Sequence, residues 1–195
     1  TGAEGGSPTL NTNYEKTYAT RSNLVYQLNN HHKIGANFIY TNFKRNSYDP
    51  LLDENIRELL DTRYLSKSIL GITYELSAIE NRFKTSVFFK YYNQNVAIEK
   101  PENVSGHPAP VITKFNKTNN ETGFGIALSY AITPTFQIMT SAENAVRLPE
   151  TRELFGNEIE NTDENYGLNS ERSTNINFEV NLGPYYINDH SIKLN

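Results

Sequence analysis

Apolar and polar residues alternate along most of this chain with a period of two, the pattern of strands whose two faces meet different surroundings. From Ser173 to Leu182, Thr174, Ile176, Phe178, Val180 and Leu182 share one face, and Ser173, Asn175, Asn177, Glu179 and Asn181 share the other. The stretch Thr122 to Ile132 repeats the design, with Phe124, Ile126, Leu128, Tyr130 and Ile132 opposite Gly123, Gly125, Ala127, Ser129 and Ala131. Around Arg82 to Gln94, Phe83, Thr85, Val87, Phe89 and Tyr91 oppose Arg82, Lys84, Ser86 and Lys90, with Phe88 and Tyr92 as exceptions. Weaker alternation marks Leu24 to Leu28, Ile34 to Tyr40, Leu70 to Leu76 and Phe136 to Ala142. The pattern predicts about eight strands, several of roughly ten residues or more, where globular proteins favour about five or six.

The connections alternate in length. Short links fall at Asn29 to His32, Ser77 to Asn81 and Thr133–Pro134; long ones at Asn46 to Leu65, Glu99 to Asn119 and Leu148 to Ser170. Long strands with one apolar and one small-polar face, joined alternately by tight turns and long loops, predict an all-β fold. Specifically, they predict a segment of an antiparallel up-and-down transmembrane β-barrel with short periplasmic turns and long extracellular loops. In the first long link, Asp49–Pro50 followed by Leu52, Ile56, Leu59 and Leu60 predicts a short helix resting on the rim. The opening Gly/Ser/Thr-rich stretch, Thr1 to Asn13, reads as a loop.

Composition agrees. Of 195 residues only 37% are apolar while 12% are aromatic, with 13 Tyr and 10 Phe, too many rings for a disordered chain. No apolar run reaches the length of a membrane helix, which leaves barrel strands possible. Acids and bases are interleaved at a net charge of −4, with no basic face for nucleic acid. There is no cysteine, so no thiol nucleophile and no thiolate metal site. The chain begins at Thr1 without a signal peptide and ends inside a strand, so both ends read as cuts.

No constellation points to catalysis, a metal or a cofactor. The four histidines, His31, His32, His107 and His190, are scattered, and His31–His32 reads as a solvated turn pair. No nucleophile elbow, phosphate loop or dinucleotide fingerprint is present. Gly123 and Gly125 lie in a strand, where glycine serves close packing. The loop from Leu148 to Glu171 is acidic and could hold calcium, but it lacks the ordered acid spacing of a calcium loop and reads as solvated. Lys33, Arg82, Lys84 and Lys90 face the lumen side and could attract anions. Glu75, Glu143 and Glu179 share that side, which favours mixed ion pairs.

One run carries a resemblance. Ala142-Glu-Asn-Ala-Val-Arg-Leu-Pro-Glu-Thr-Arg-Glu-Leu-Phe-Gly156 resembles a segment of TonB-dependent receptors, in which a strand ends in Arg-x-Pro and the following loop carries Glu-Leu-Phe/Tyr-Gly. The family's next piece, Asn-Pro-x-Leu-x-Pro-Glu-x-Ser, is met by Asn165-Tyr-Gly-Leu-Asn-Ser-Glu-Arg-Ser173, with Tyr166 and Ser170 in place of the prolines. Arg147, Pro149, Glu153, Leu154, Phe155, Gly156, Leu168 and Glu171 are thus the family-pattern residues. The resemblance implies that residues 1–195 are part of a plugged barrel of about 22 strands in the outer membrane of a Gram-negative bacterium. Such a receptor imports a scarce small-molecule nutrient, such as a ferric siderophore, with energy coupled through TonB. TonB itself would be reached only through an N-terminal plug region, which this sequence lacks, as it lacks the C-terminal strands. The remaining partner is outer-membrane lipid. Arg152, Asn157 and Tyr166 are the candidate cargo contacts, combining charge, hydrogen bonding and stacking in one loop. A porin, a surface adhesin or a soluble carbohydrate-binding β-sandwich would fit parts of the pattern; the sandwich needs a closed core that one outward apolar belt does not supply.

Overall fold

A computed structural model describes residues 12–48, 50, 61–102, 105–106, 110–156, 164–187 and 190–194. They form one sheet of strands β1 (Thr12–Gln27), β2 (His32–Tyr48), β3 (Asp61–Ala78), β4 (Phe83–Glu102), β5 (Val111–Thr133), β6 (Phe136–Arg147), β7 (Glu171–Ile187) and β8 (His190–Leu194). Spatial order equals chain order, and every neighbouring pair is antiparallel. This is the up-and-down wall that the alternation predicts. The short turns after β1, β3 and β5 share one end, and the longer connections after β2, β4 and β6 share the other. The turn after β3 is tight: Ile79, Glu80 and Asn81 all take positive φ, and Arg82 N closes it on Ile79 O at 2.9 Å. The helix expected around Leu52 to Leu60 lies outside the described residues.

The two faces separate as the pleat requires. On the outside stand Ile176 and Phe178, 77% and 71% exposed, with Phe124, Ile126, Val87, Phe89, Leu70, Ile72, Phe38 and Leu24 around the same band. Ser129, Asn177 and Glu179 line a concavity of about 350 Å³ at the short-turn end. Lumen ion pairs form between Lys33 and Glu75 at 2.6 Å and between Lys90 and Glu143 at 3.8 Å. Arg82 departs from the expected lumen position. It sits in the turn, donates to the carbonyls of Ala131 (2.9 Å) and Ile132, and covers the Tyr130 ring. His31 and His32 are likewise more than a solvated pair, their Nδ1 atoms contacting Ser77 O at 2.9 Å and Tyr74 OH at 2.6 Å.

The two exceptions in β4 find their reason across the sheet. Phe88 lies directly opposite Gly125, so closely that a Cβ there would come within 2.6 Å of the ring. The Tyr92 ring covers Gly123 in the same way, 3.4 Å from where a Cβ would be. Each inward ring therefore rests on a glycine whose missing side chain makes room for it.

The strands run further than the alternation predicts. β4 has 20 residues and β5 has 23, so most of Glu99 to Asn119 is strand and not loop, and strand also takes residues 46–48 and 61–65 at the ends of the first long link. Above the apolar band the polarity of the faces reverses. Outward positions become polar, with Asn93 and Tyr91 donating to Asn120 Oδ1 at 2.7 and 2.8 Å and Asn95 donating to Thr118 Oγ1 at 3.2 Å. Inward positions become apolar: Phe43, Leu65, Tyr92, Val96 and Ile98 are buried there.

Candidate functional site

That inverted upper half exists because the connection between β6 and β7 folds back into the concave side and needs an apolar seat. The connection begins at Arg147, whose guanidinium grips Glu153 as a fork, with Nη1 to Oε2 at 3.1 Å and Nη2 to Oε1, while Nε lies 3.8 Å from Glu171. Glu153 also accepts from the backbone N–H of Glu150 at 2.7 Å, which starts the single helical turn α1 (Thr151–Phe155). Gly156 ends that turn at φ 67°, ψ 174°, a conformation that glycine takes without strain.

The turn delivers Leu154 and Phe155 into a cluster with Phe43, Leu65, Val96 and Ile98, bordered by Phe115, Tyr166 and Leu168. Leu154 and Val96 are fully buried. Phe155 stacks on Phe43 with centroids 6.0 Å apart, and Tyr166 tilts against Phe115 at 5.1 Å.

Around the cluster the wall reaches for the loop's backbone. Pro149 O accepts from Lys67 Nζ at 2.7 Å and from Gln94 Nε2 at 2.9 Å. Phe155 O accepts from Arg63 at 3.0 Å and Arg45 at 3.5 Å. Lys117 Nζ donates to Gly167 O, Leu168 O and Asn169 Oδ1 at 2.7 to 2.9 Å. Within the loop, Asn165 N donates to Leu154 O at 3.0 Å. Buried carbonyls need donors, and cationic donors make the stronger bonds. Glu164 of the loop meets cations of the wall, pairing with Arg63 at 3.1 Å and Lys100 at 3.5 Å.

The structure therefore brings together Arg147, Pro149, Glu153, Leu154, Phe155, Gly156, Leu168 and Glu171 as the framework of one inward-folded loop. Of the candidate cargo contacts, Arg152 stands on the exposed side of α1, Tyr166 is half-buried against Phe115, and Asn157 lies outside the described residues. Sequence reasoning missed the seat itself: Lys67, Gln94, Arg63 and Lys117 bond to carbonyl oxygens, which leave no mark in a sequence.

No known family's sequence pattern matches the chain, and no curated protein matches it. Among solved structures the wall has the fold of a barrel receptor. A double mutant of the Serratia marcescens hemophore receptor HasR, in complex with its hemophore HasA and heme, is similar at TM-score 0.52 and 13% identity. The match covers 89% of this chain and spans 30% of the length of that one.

Leu154 holds the seat together, so Leu154→Ala is expected to destabilise the docked loop by about 2–5 kcal/mol, the usual cost of such a core truncation. Hydrogen exchange should show faster exchange at Leu154 and Asn165 N–H with the lower half of the sheet unchanged. Glu121, above the apolar band, accepts from Ser170 and Arg172, and these two hydrogen bonds hold its carboxyl below the ordinary value of 4.5. A depressed carboxylate contributes stability that is complete above its unfolded value and lost as pH falls through the lower folded one. Protection around Ser170 to Arg172 should thus survive to below pH 4.5 and then fall, and Glu121→Gln should abolish that pH dependence.

Proposed function

We propose that this chain is part of the barrel wall of a TonB-coupled receptor that binds and imports a scarce small-molecule nutrient across the outer membrane of a Gram-negative bacterium. The observation that carries the reading is the reversal of face polarity part-way up the strands. Below it, β4 turns Phe83, Val87, Phe89 and Tyr91 outward, and β5 turns Phe124, Ile126, Leu128 and Tyr130; above it, Asn93, Asn95, Thr118 and Asn120 take those positions. An apolar outer band of limited height suits lipid, and a transmembrane strand needs only about nine to eleven residues of it. A soluble sheet has no reason to switch its wet and dry faces within one strand. The fold shared with HasR supports a receptor wall, and the hemophore and heme belong to that protein.

In this reading residues 1–195 are one part of a larger barrel, and coupling to TonB belongs to a plug region outside this sequence. The loop from Leu148 to Ser170 has two sides. One is committed to the wall through Leu154, Phe155 and Leu168; the other carries Arg152 on the exposed side of α1, and with Tyr166 and Asn157, the latter assigned from the sequence alone, it is the surface offered to cargo.

Two measurements on the full-length protein test this. In a lipid-refolding titration, Phe178→Arg should cost about 2–4 kcal/mol, the penalty for a cation in the middle of the lipid band, while Asn177→Arg on the concave face costs much less. Equal penalties would refute the lipid assignment. Replacing Arg152 and Asn157 with alanine and Tyr166 with phenylalanine should weaken cargo binding while heat-modifiable barrel assembly stays normal. Unchanged affinity would remove this loop from the cargo site.

A further inference from the structure

The outward face of β1 to β3, above the apolar band, carries two lysines that the sheet itself does not neutralise. Lys16 and Lys44 are directly opposite in the β1–β2 register, and Lys44 is opposite Tyr64 in the β2–β3 register. Like charges facing each other across two strands repel. Among the described residues neither lysine has a carboxylate partner. The ion pairs of this region, Arg45 to Glu15 at 2.7 Å and Arg63 to Asp61 at 2.9 Å, lie one residue along and so on the other face. Elsewhere on the outward face the same problem is solved internally, as Lys114 meets Glu99 at 2.7 Å.

Lys44 is also held in place, its ammonium 5.1 Å from the centre of the Tyr64 ring. One row nearer the band the same three strands present Tyr18, Asn42 and Ser66, a hydroxyl, an amide and a hydroxyl in line. Two adjacent positive charges above a row of neutral hydrogen-bonding groups suit a multiply charged anion with several acceptor oxygens. Their height matters too. One step below that row, Tyr40 stands between the lysines and the last apolar residue of β2's outward face, Phe38, an aromatic where a membrane interface would fall, so if the band lies in lipid the lysines stand at headgroup level.

Resting on the membrane reading above, we propose that Lys16 and Lys44 form a docking site for the phosphate group of a membrane lipid headgroup. The ammonium groups neutralise the phosphate, and the row beneath receives the ester and neighbouring oxygens.

The test is native mass spectrometry of the full-length protein released from vesicles of phosphatidic acid and phosphatidylcholine in equal parts. Phosphatidic acid should be retained preferentially. Lys16→Gln and Lys44→Gln should each reduce that preference about fivefold, the worth of one lysine at an anionic surface. Lys114→Gln should leave it unchanged, and the paired Lys16→Arg, Lys44→Arg variant should restore it with the sheet intact. Preference surviving in the double glutamine variant would overturn the proposal, as would inorganic phosphate displacing the lipid at equal concentration, which would mark a free-anion site. Insertion into the vesicles without phosphate preference overturns this site alone; failure to insert overturns the membrane reading and this site with it.

Discussion

The alternation imposed by the pleat is the constraint on which the rest of this structure depends. Successive side chains in a strand go to opposite faces, so each strand reports two environments at once. With nearest-neighbour antiparallel pairing throughout, the reports of the strands line up into bands. The lower band is apolar outside and small or charged inside, where Lys33 and Glu75 pair across the concave surface. The upper band reverses this, with an Asn and Thr ladder outside and Val96, Ile98 and Leu65 inside. Both bands are drawn on the same continuous strands, so the boundary between them is written in side-chain identity alone.

The loop after β6 is the counterpart of that reversal. An inward apolar patch at the open end of a barrel wall would face water if nothing covered it, and burial of large apolar side chains is worth about 1.5–3 kcal/mol each. Leu154 and Phe155 supply the cover, and the Arg147–Glu153 fork turns the chain toward it. Each half completes the other: the loop's side chains cover the upper strands, and the wall's donors meet the loop's carbonyls.

Much of this was legible in the sequence. Alternation around Phe124 and Ile176 placed the strands and assigned their faces, because each apolar side chain there meets the outside and each polar one the lumen. The order of short and long connections gave the two ends of the sheet. Strand length was less legible. In residues 111–119 the inward apolar positions are only Val111 and Phe115, and the outward ones run Ile112, Lys114, Asn116 and Thr118, so the stretch reads as loop although the ladder continues through it. The turn Thr151–Phe155 is too short for helical periodicity to show. Phe88 and Tyr92 looked like errors in the pattern because their explanation, a glycine on the neighbouring strand, lies more than thirty residues away in sequence for both.

The way the loop is fastened bears on how such a protein can change over generations. Lys67 and Gln94 hold Pro149 by its carbonyl, Arg63 holds Phe155 by its carbonyl, and Lys117 holds Gly167 and Leu168 in the same manner. Every amino acid brings that oxygen. Mutations that alter the loop's outward side chains therefore leave most of these anchors untouched, and a lineage can explore new surfaces at the mouth of the barrel while inheriting the same mounting.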